Sequence, residues 1–360
     1  MIWTILIFLA VLSVLVLAHE WGHYFTAKKI GAKVEEFGLG FPPRIWSWRG
    51  KDGMLWTLNL IPLGGFVRIK GESGEDRADN DSFAKKKIWQ RLLVLAAGVI
   101  MNLVVAAVLF GIVLSFGAPT IIEGDVPAHA QITNQALMVN ELIPEAGAEL
   151  SGIEIGDTVK TISGIEPESG EHARELIRES TVEGVAHIVV ERGGEDQTIS
   201  MTSSYVEEIS AQGYGISIVE TGLLTYPLWL VPWKAITTTV AYTTMVIVAF
   251  YELIAGLIAG SGVGATVSGP VGIAQMTGQV ASMGWVYLLQ FTALLSINLA
   301  VLNILPFPAL DGGRILFVLV EAVRRKPNSA RIEAMIHNLG FLLLIALVIF
   351  VTYRDIINLF

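Results

Sequence analysis

His19 and His23 stand four residues apart, with Glu20 directly after the first. On a helix that spacing brings both imidazoles to one face, within reach of a single metal ion. Zinc suits such ligands, because it favours tetrahedral nitrogen and oxygen coordination and, in catalytic sites, keeps one position for water. A carboxylate beside the first ligand can take a proton from that water, whose pKa zinc lowers to about 7. In a soluble helix, a His-Glu-x-x-His run is a weak signal. Here the three ionisable side chains fall near the end of an apolar stretch, where such groups are costly in lipid and are functional by default.

Two histidines leave an ion short of a ligand. Asp311 is the expected third, in the run Asn303-Ile304-Leu305-Pro306-Phe307-Pro308-Ala309-Leu310-Asp311-Gly312. Pro306 and Pro308 interrupt a helix there and free backbone groups. The plainer role for Asp311 is a turn residue before Gly312. Asn303 places a side-chain amide in an apolar segment, either to bond a substrate backbone or to pack between helices. His129, His172, His187 and His337 have no partner ligand in the pattern and are expected on surfaces or in cores.

The elements that must position these groups are membrane spans. The chain has 360 residues, 53% hydrophobic and 16% charged, against about 25% charged in soluble proteins. Mean hydropathy is +0.60. Four stretches reach the ~20 apolar residues a bilayer core requires: about 2–27, 92–116, 285–305 and 337–353. The first has no basic residue before Lys28 and no cleavage-type break, so it is expected as a retained helix rather than a signal peptide. Lys and Arg are dense between Lys28 and Arg91 and between Arg314 and Arg331, and sparse in the acidic segment 117–232. The first two segments are therefore expected on the cytoplasmic side and the third outside. Residues 235–259, Thr-rich and containing Glu252, are expected to form an interfacial or bundle-packed helix, or to enter and return. The net charge of −9 argues against a nucleic-acid partner. The absence of cysteine excludes disulfides and thiolate ligands.

Between the first two spans, residues 55–61 and 66–70 read as strands, with turn signals at Lys51-Asp52-Gly53 and Pro62-Leu63-Gly64-Gly65. A strand edge at membrane depth must face protein or a water-filled cavity. Residues 73–84 are polar and acidic, and read as a loop. In the outer segment, a turn into a strand at 152–159, a helix at 171–180 and strands at 185–191 and 197–202 suggest a compact soluble domain.

On the pair of motifs at 19–23 and 303–312, the chain resembles the site-2 protease family of intramembrane zinc metalloproteases, in particular the bacterial regulator-of-sigma-E type with one PDZ domain. The resemblance extends to Ile61-Pro62-Leu63-Gly64-Gly65-Phe66-Val67, similar to the membrane-reentrant β-loop. It also covers Trp89-Gln90-Arg91 with Ala97-Gly98 and Asn102, and Ser268-Gly269-Pro270-Val271-Gly272-Ile273. Val99 stands where the family usually has proline. Residues 118–218 look like a PDZ domain, most clearly at 146–157. The resemblance implies His19, His23 and Asp311 as ligands of one Zn2+ per chain, Glu20 as catalytic base, and Asn303 as a substrate-positioning group. An edge strand including Gly64, Gly65, Phe66 and Val67 would pair with an extended substrate.

The expected fold is thus a polytopic α-helical membrane protein with four transmembrane helices, a membrane-associated β-hairpin region and one extracytoplasmic PDZ-like α+β domain. The expected divisions are 1–33, the first helix with the zinc motif; 34–84, the reentrant β region and loop; 85–117, the second helix; 118–218, the PDZ-like domain; 219–283, interfacial helices and connector; 284–313, the third helix with the Asp motif; 314–334, a cytoplasmic loop; and 335–360, the fourth helix and tail. The expected activity is zinc-dependent cleavage of single-span proteins within or near their transmembrane segment. Anti-sigma factors or signal-peptide remnants would be the substrates, filtered by the PDZ-like domain, in the inner membrane and with no nucleic acid involved. A metal transporter and a non-catalytic adaptor are the competing readings. Glu20 has no task in either.

Overall fold

The computed structural model describes residues 2–72, 74, 76, 78–122, 126–206, 211–260 and 269–357. Ser268 and residues 73, 75 and 77 of the expected loop lie outside the described residues. In chain order, α1 (Ile2–Lys29) precedes β1 (Val34–Arg49), β2 (Leu55–Ile69) and α2 (Ile88–Phe116). Then come β3 (Ala118–Ile121), β4 (Gln131–Leu142), the single turn α3 (Gly147–Leu150), β5 (Thr158–Ile162), α4 (Gly170–Glu183), β6 (Val185–Arg192), β7 (Glu195–Thr202), β8 (Ser204–Val206), β9 (Ala211–Gly213) and β10 (Ile216–Thr225). The chain continues through α5 (Val231–Ala259), α6 (Pro270–Met283), α7 (Trp285–Ile304), α8 (Asp311–Arg324) and α9 (Ala330–Ile357). Two compact units result, one from Met1–Val113 with Pro232–Phe360 and the other from Leu114–Val231.

In the first unit, α1, α2, α7 and α9 cover the four stretches expected to cross a bilayer. By length and composition α5 is a fifth, with Val231–Gly256 apolar enough to cross. Its threonines explain the weak signal in the sequence. The hydroxyls of Thr239, Thr243 and Thr244 donate to the carbonyls of Ala235, Thr239 and Val240 at 2.8, 2.7 and 3.0 Å, so they are satisfied within the helix. The apolar face of α5 packs into the bundle, with Ala235 and Tyr242 in one cluster with Ala106, Phe110, Ala293 and Ile297. The Tyr242 and Phe110 rings stack 5.3 Å apart. The sequence reading counts four crossings and sets 235–259 aside as an interfacial or bundle-packed helix, or one that enters and returns; its length and composition make it a fifth candidate crossing.

Close helix approach rests on small residues, as expected where lipid replaces water. A Cβ on Gly22 of α1 would lie 2.4 Å from the Ala97 carbonyl oxygen of α2. One on Gly278 of α6 would meet Thr4 at 2.5 Å. The backbone N–H groups of Gly269 and Gly272 donate to the two carboxylate oxygens of Asp355, at 3.1 and 2.9 Å. Asp355 thereby caps α6 and places it at the end of the bundle where α1 begins and α9 finishes. With Val99 in place of a proline, α2 runs unbroken.

The β region differs in detail from two short strands. β2 is one element, bent at Gly64, whose φ is +100°. Residues 36–39 of β1 pair with 65–68 of β2 and also with 55–58, while residues 46–49 fold back onto 55–58. This wraps the early part of β1 in the middle and leaves 65–68 at an edge. Phe41, Ile45, Trp46, Trp48, Leu60 and Ile61 are exposed on this sheet, a surface suited to the lipid interface. Behind it, Lys70 pairs with Asp79 and Asp81 at 2.6 and 2.9 Å. That hydrogen bond holds the Asp81 carboxyl below the ordinary carboxylate range.

The second unit is built on a six-stranded sheet in the order β3-β10-β4-β5-β6-β7, with α4 packed on it. Ala173, Leu176 and Ile177 of α4 share the face turned to a core of Val139, Ile162, Ile188 and Val190. Ser169 caps α4, its hydroxyl accepting from the His172 N–H at 3.1 Å. The helix and strands expected at 171–180, 185–191 and 197–202 are present, and β10 continues past residue 218 to Thr225.

Candidate metal centre

α1 carries His19 and His23 on its buried face, and α8 opens on Asp311. The Nε2 atoms of the two histidines lie 3.1 Å apart. Asp311 Oδ2 is 3.0 Å from His19 Nε2 and 3.2 Å from His23 Nε2. Among the described residues, these three form the one group of His, Asp and Glu that could hold a metal ion. Ligands bound tetrahedrally to zinc at 2.0–2.1 Å stand about 3.3 Å from one another, so this triangle of two imidazole nitrogens and one carboxylate oxygen fits zinc with little movement.

His23 and the loop that carries Asp311 are held from behind. The His23 Nδ1–H donates to the Val94 carbonyl of α2 at 2.8 Å, which leaves Nε2 free to ligate. α2 comes this near because position 98 is glycine: a Cβ there would lie 2.3 Å from His23 Nε2 and 2.6 Å from His19 Cε1. Asp311 is placed by a tight loop after α7. A Cβ on Gly312 would run into the carbonyl oxygens of Ile304 and Leu305, and one on Gly313 into that of Phe307. No side chain fits at either position. Ala309 takes a left-handed φ of +77°, and its N–H donates to His337 Nδ1 of α9 at 3.0 Å.

A cavity of about 390 Å³ opens onto these ligands. Glu20, Asn303, Gly65, Phe66 and Val67 all line it, so the structure brings together the residues singled out in the sequence, with one exception. Gly64 is not among the lining residues; its neighbour in space is the ring of Phe41. Gly65 lies against the site's first helix, where a Cβ would come 3.2 Å from Val16 and 3.5 Å from the Glu20 side chain. Sequence reasoning missed Glu72 and Arg314, which also line the cavity and pair with each other. It assigned no role to Gly98 or Asn102. A glycine four residues from an asparagine in an apolar helix was the available signal, and it names no partner by itself.

Buried imidazoles and a carboxylate meeting at one point, with a second carboxylate in the same cavity, among helices long enough to cross a bilayer, are the features of a metal-dependent hydrolase of the membrane. The description of Peptidase family M50 matches residues 7–347, and the chain belongs to that family, the site-2 proteases, as a zinc metalloendopeptidase. It is 31% identical to the zinc metalloprotease RasP of Oceanobacillus iheyensis, over 99% of both chains. It is 33% identical to a putative zinc metalloprotease of Clostridium perfringens, over 96% of each. It is 29% identical to the regulator of sigma-W protease RasP of Bacillus subtilis, again over 99% of both. A PDZ domain of an SdrC-like protein from Listeria monocytogenes covers 24% of this chain at 17% identity and a TM-score of 0.22, a likeness too slight to bear on the fold.

Proposed function

We propose that this chain cleaves single-span membrane proteins within or near their transmembrane segment, with His19, His23 and Asp311 holding one zinc ion and Glu20 acting as base. The observation that carries this reading is the shared cavity: Glu20, the three ligand atoms, Asn303 and the strand edge at Gly65–Val67 open onto one space. Zinc, when bound there, supplies the Lewis acidity that peptide hydrolysis needs at neutral pH. Glu20 accepts a proton from the attacking water at its carboxylate and returns it to the leaving amine.

A transmembrane helix hides its peptide bonds, since every N–H and C=O is bonded internally. The substrate must therefore be extended, and its freed backbone groups need partners. The edge of β2 at 65–68 offers a ladder of them, and the Asn303 amide adds one more beside the ligands. Gly64 contributes the bend that turns this edge toward the site.

In this reading the basic segments face the cytoplasm, the unit Leu114–Val231 lies outside as a PDZ-like filter against bulky outer domains, and the enzyme sits in the inner membrane. Anti-sigma factors and signal-peptide remnants are substrates of the right build. A protein of Bacillus subtilis similar to this chain is described as a regulator of sigma-W protease. Incubating the purified chain with a panel of single-span substrates tests the proposal, with mass spectrometry of the products. Glu20→Gln should abolish cleavage and keep zinc. Cleavage at the normal rate by that variant would overturn the role of Glu20.

A further inference from the structure

Asn102 is fully buried in α2, at 0% exposure, and its side chain meets the one face of His19 that the ligand triangle does not use. Its Nδ2 lies 3.3 Å from His19 Nδ1, while its Oδ1 is buried with no hydrogen-bond partner among the described residues. Both facts point to the same pairing. His19 turns Nε2 toward Asp311 and His23, so a ligating Nε2 must be bare and the ring proton must sit on Nδ1. That Nδ1–H is a donor and needs an acceptor. An amide NH2 opposite it is a mismatch, and the orphaned Oδ1 is a second one. A half-turn of the carboxamide removes both, because its two ends have nearly the same shape.

Resting on the zinc-site reading above, we propose that Asn102 is the positioning residue of His19: in the zinc-loaded enzyme its Oδ1 accepts the Nδ1–H of His19 and fixes the tautomer and ring plane that ligate the ion. α2 then treats both histidines alike. Val94, Gly98 and Asn102 follow one another at four-residue intervals along one stripe of the helix. Val94 gives its carbonyl to His23, Gly98 makes room for both rings, and Asn102 gives its amide oxygen to His19. The stripe is held in place by α7, where the buried Ser296 hydroxyl donates to the Asn102 backbone carbonyl at 2.8 Å. Acceptors of this kind behind a ligating histidine orient the ring and raise its basicity, and their loss typically lowers metal affinity about 10- to 100-fold.

The test measures zinc affinity of the full-length purified protein by chelator competition at fixed pH, beside thermal unfolding of the metal-free form. Asn102→Asp keeps an acceptor opposite Nδ1 and should bind zinc within a few-fold of wild type. Asn102→Leu keeps the bulk without the acceptor and should bind about 10- to 100-fold more weakly, with metal-free unfolding little changed. The Co2+-substituted protein should show a shifted visible absorption spectrum in Asn102→Leu and not in Asn102→Asp. Wild-type affinity in Asn102→Leu would overturn the proposal, as would loss of zinc from a folded Asn102→Asp, which decides the matter even where the leucine variant fails to fold. His19→Ala separates the two levels: if it retains full zinc affinity the ligand reading falls and this inference with it, whereas its loss beside an unaffected Asn102→Leu overturns the inference alone.

Discussion

Glu72, just past the end of β2, forms an ion pair with Arg314, three residues beyond Asp311 in α8. The pair ties the strand edge proposed to hold substrate to the helix that opens on Asp311, the third proposed ligand. The Glu72 side chain is 15% exposed, so removing its partner leaves a poorly solvated carboxylate beside the cavity. Arg314→Met should lower kcat/KM about 10- to 100-fold, the scale on which misplacement by an ångström acts. The loss should fall mainly on KM, with zinc affinity nearly kept. A double-mutant cycle with Glu72→Gln, scored on cleavage of one substrate, should show a coupling of about 1–3 kcal/mol.

Gly98→Ala sets two effects against each other. Alanine favours a helix over glycine by about 1 kcal/mol, so α2 itself gains. The new Cβ would have to occupy space 2.3 Å from His23 Nε2, and neither a packed helix nor an oriented imidazole yields that much. The expected protein is well folded and poor in metal, with zinc affinity down by more than about 100-fold. Elemental analysis after equilibration with limiting zinc reads this directly. A fully loaded Gly98→Ala protein would show that α1 and α2 stand farther apart.

The loop that delivers Asp311 is fastened by His337. Replacing it with Phe keeps a ring and removes the acceptor for the Ala309 N–H, at a cost of about 1–2 kcal/mol. Ala309→Gly should work in the opposite sense, since φ of +77° costs alanine about 1 kcal/mol that glycine does not pay. Unfolding midpoints in detergent should move down for the first and slightly up for the second, with zinc content falling only in the first.

In the unit Leu114–Val231, Arg192 grips the buried carboxylate of Asp157 with Nε and Nη2, at 2.7 and 2.6 Å. Those bonds hold the guanidinium above its ordinary pKa. Among the described residues, Arg192→Met leaves the Asp157 carboxylate paired only with the Glu154 N–H. Arg192 is itself a quarter exposed, so the expected loss is about 2 kcal/mol, below that of a fully buried pair. Faster hydrogen exchange across β6 and β7, with unchanged exchange in α1, would register it.

The grouping of His19, His23 and Asp311, the proposed ligands, was legible in the sequence because its pattern is local: the histidines are set by helical spacing, and Asp311 by a proline-broken end of an apolar segment. The elements of the unit Leu114–Val231 were legible for the same reason, since α4 and the β6–β7 hairpin carry their own periodicity and turns. Three things were not. The threonines of α5 looked polar because a sequence does not show that their hydroxyls are spent on the helix's own carbonyls. β2 looked like two strands because the bend at Gly64 reads as a turn, and only pairing with β1 keeps it one element. The contacts of Val94, Gly98, Asn102, Glu72 and Arg314 are all between segments far apart in the chain, so no window of sequence contains them.

Asp355 bonds the first turn of α6 from the last turns of α9, and α6 in turn rests on Thr4 of the helix that bears both histidines. α9 is therefore a latch on the helix that carries His19, Glu20 and His23. Removing the last turn of α9, with Asp355, would loosen a strut whose other end stands on α1, so a change there is felt at the site and not only in α9.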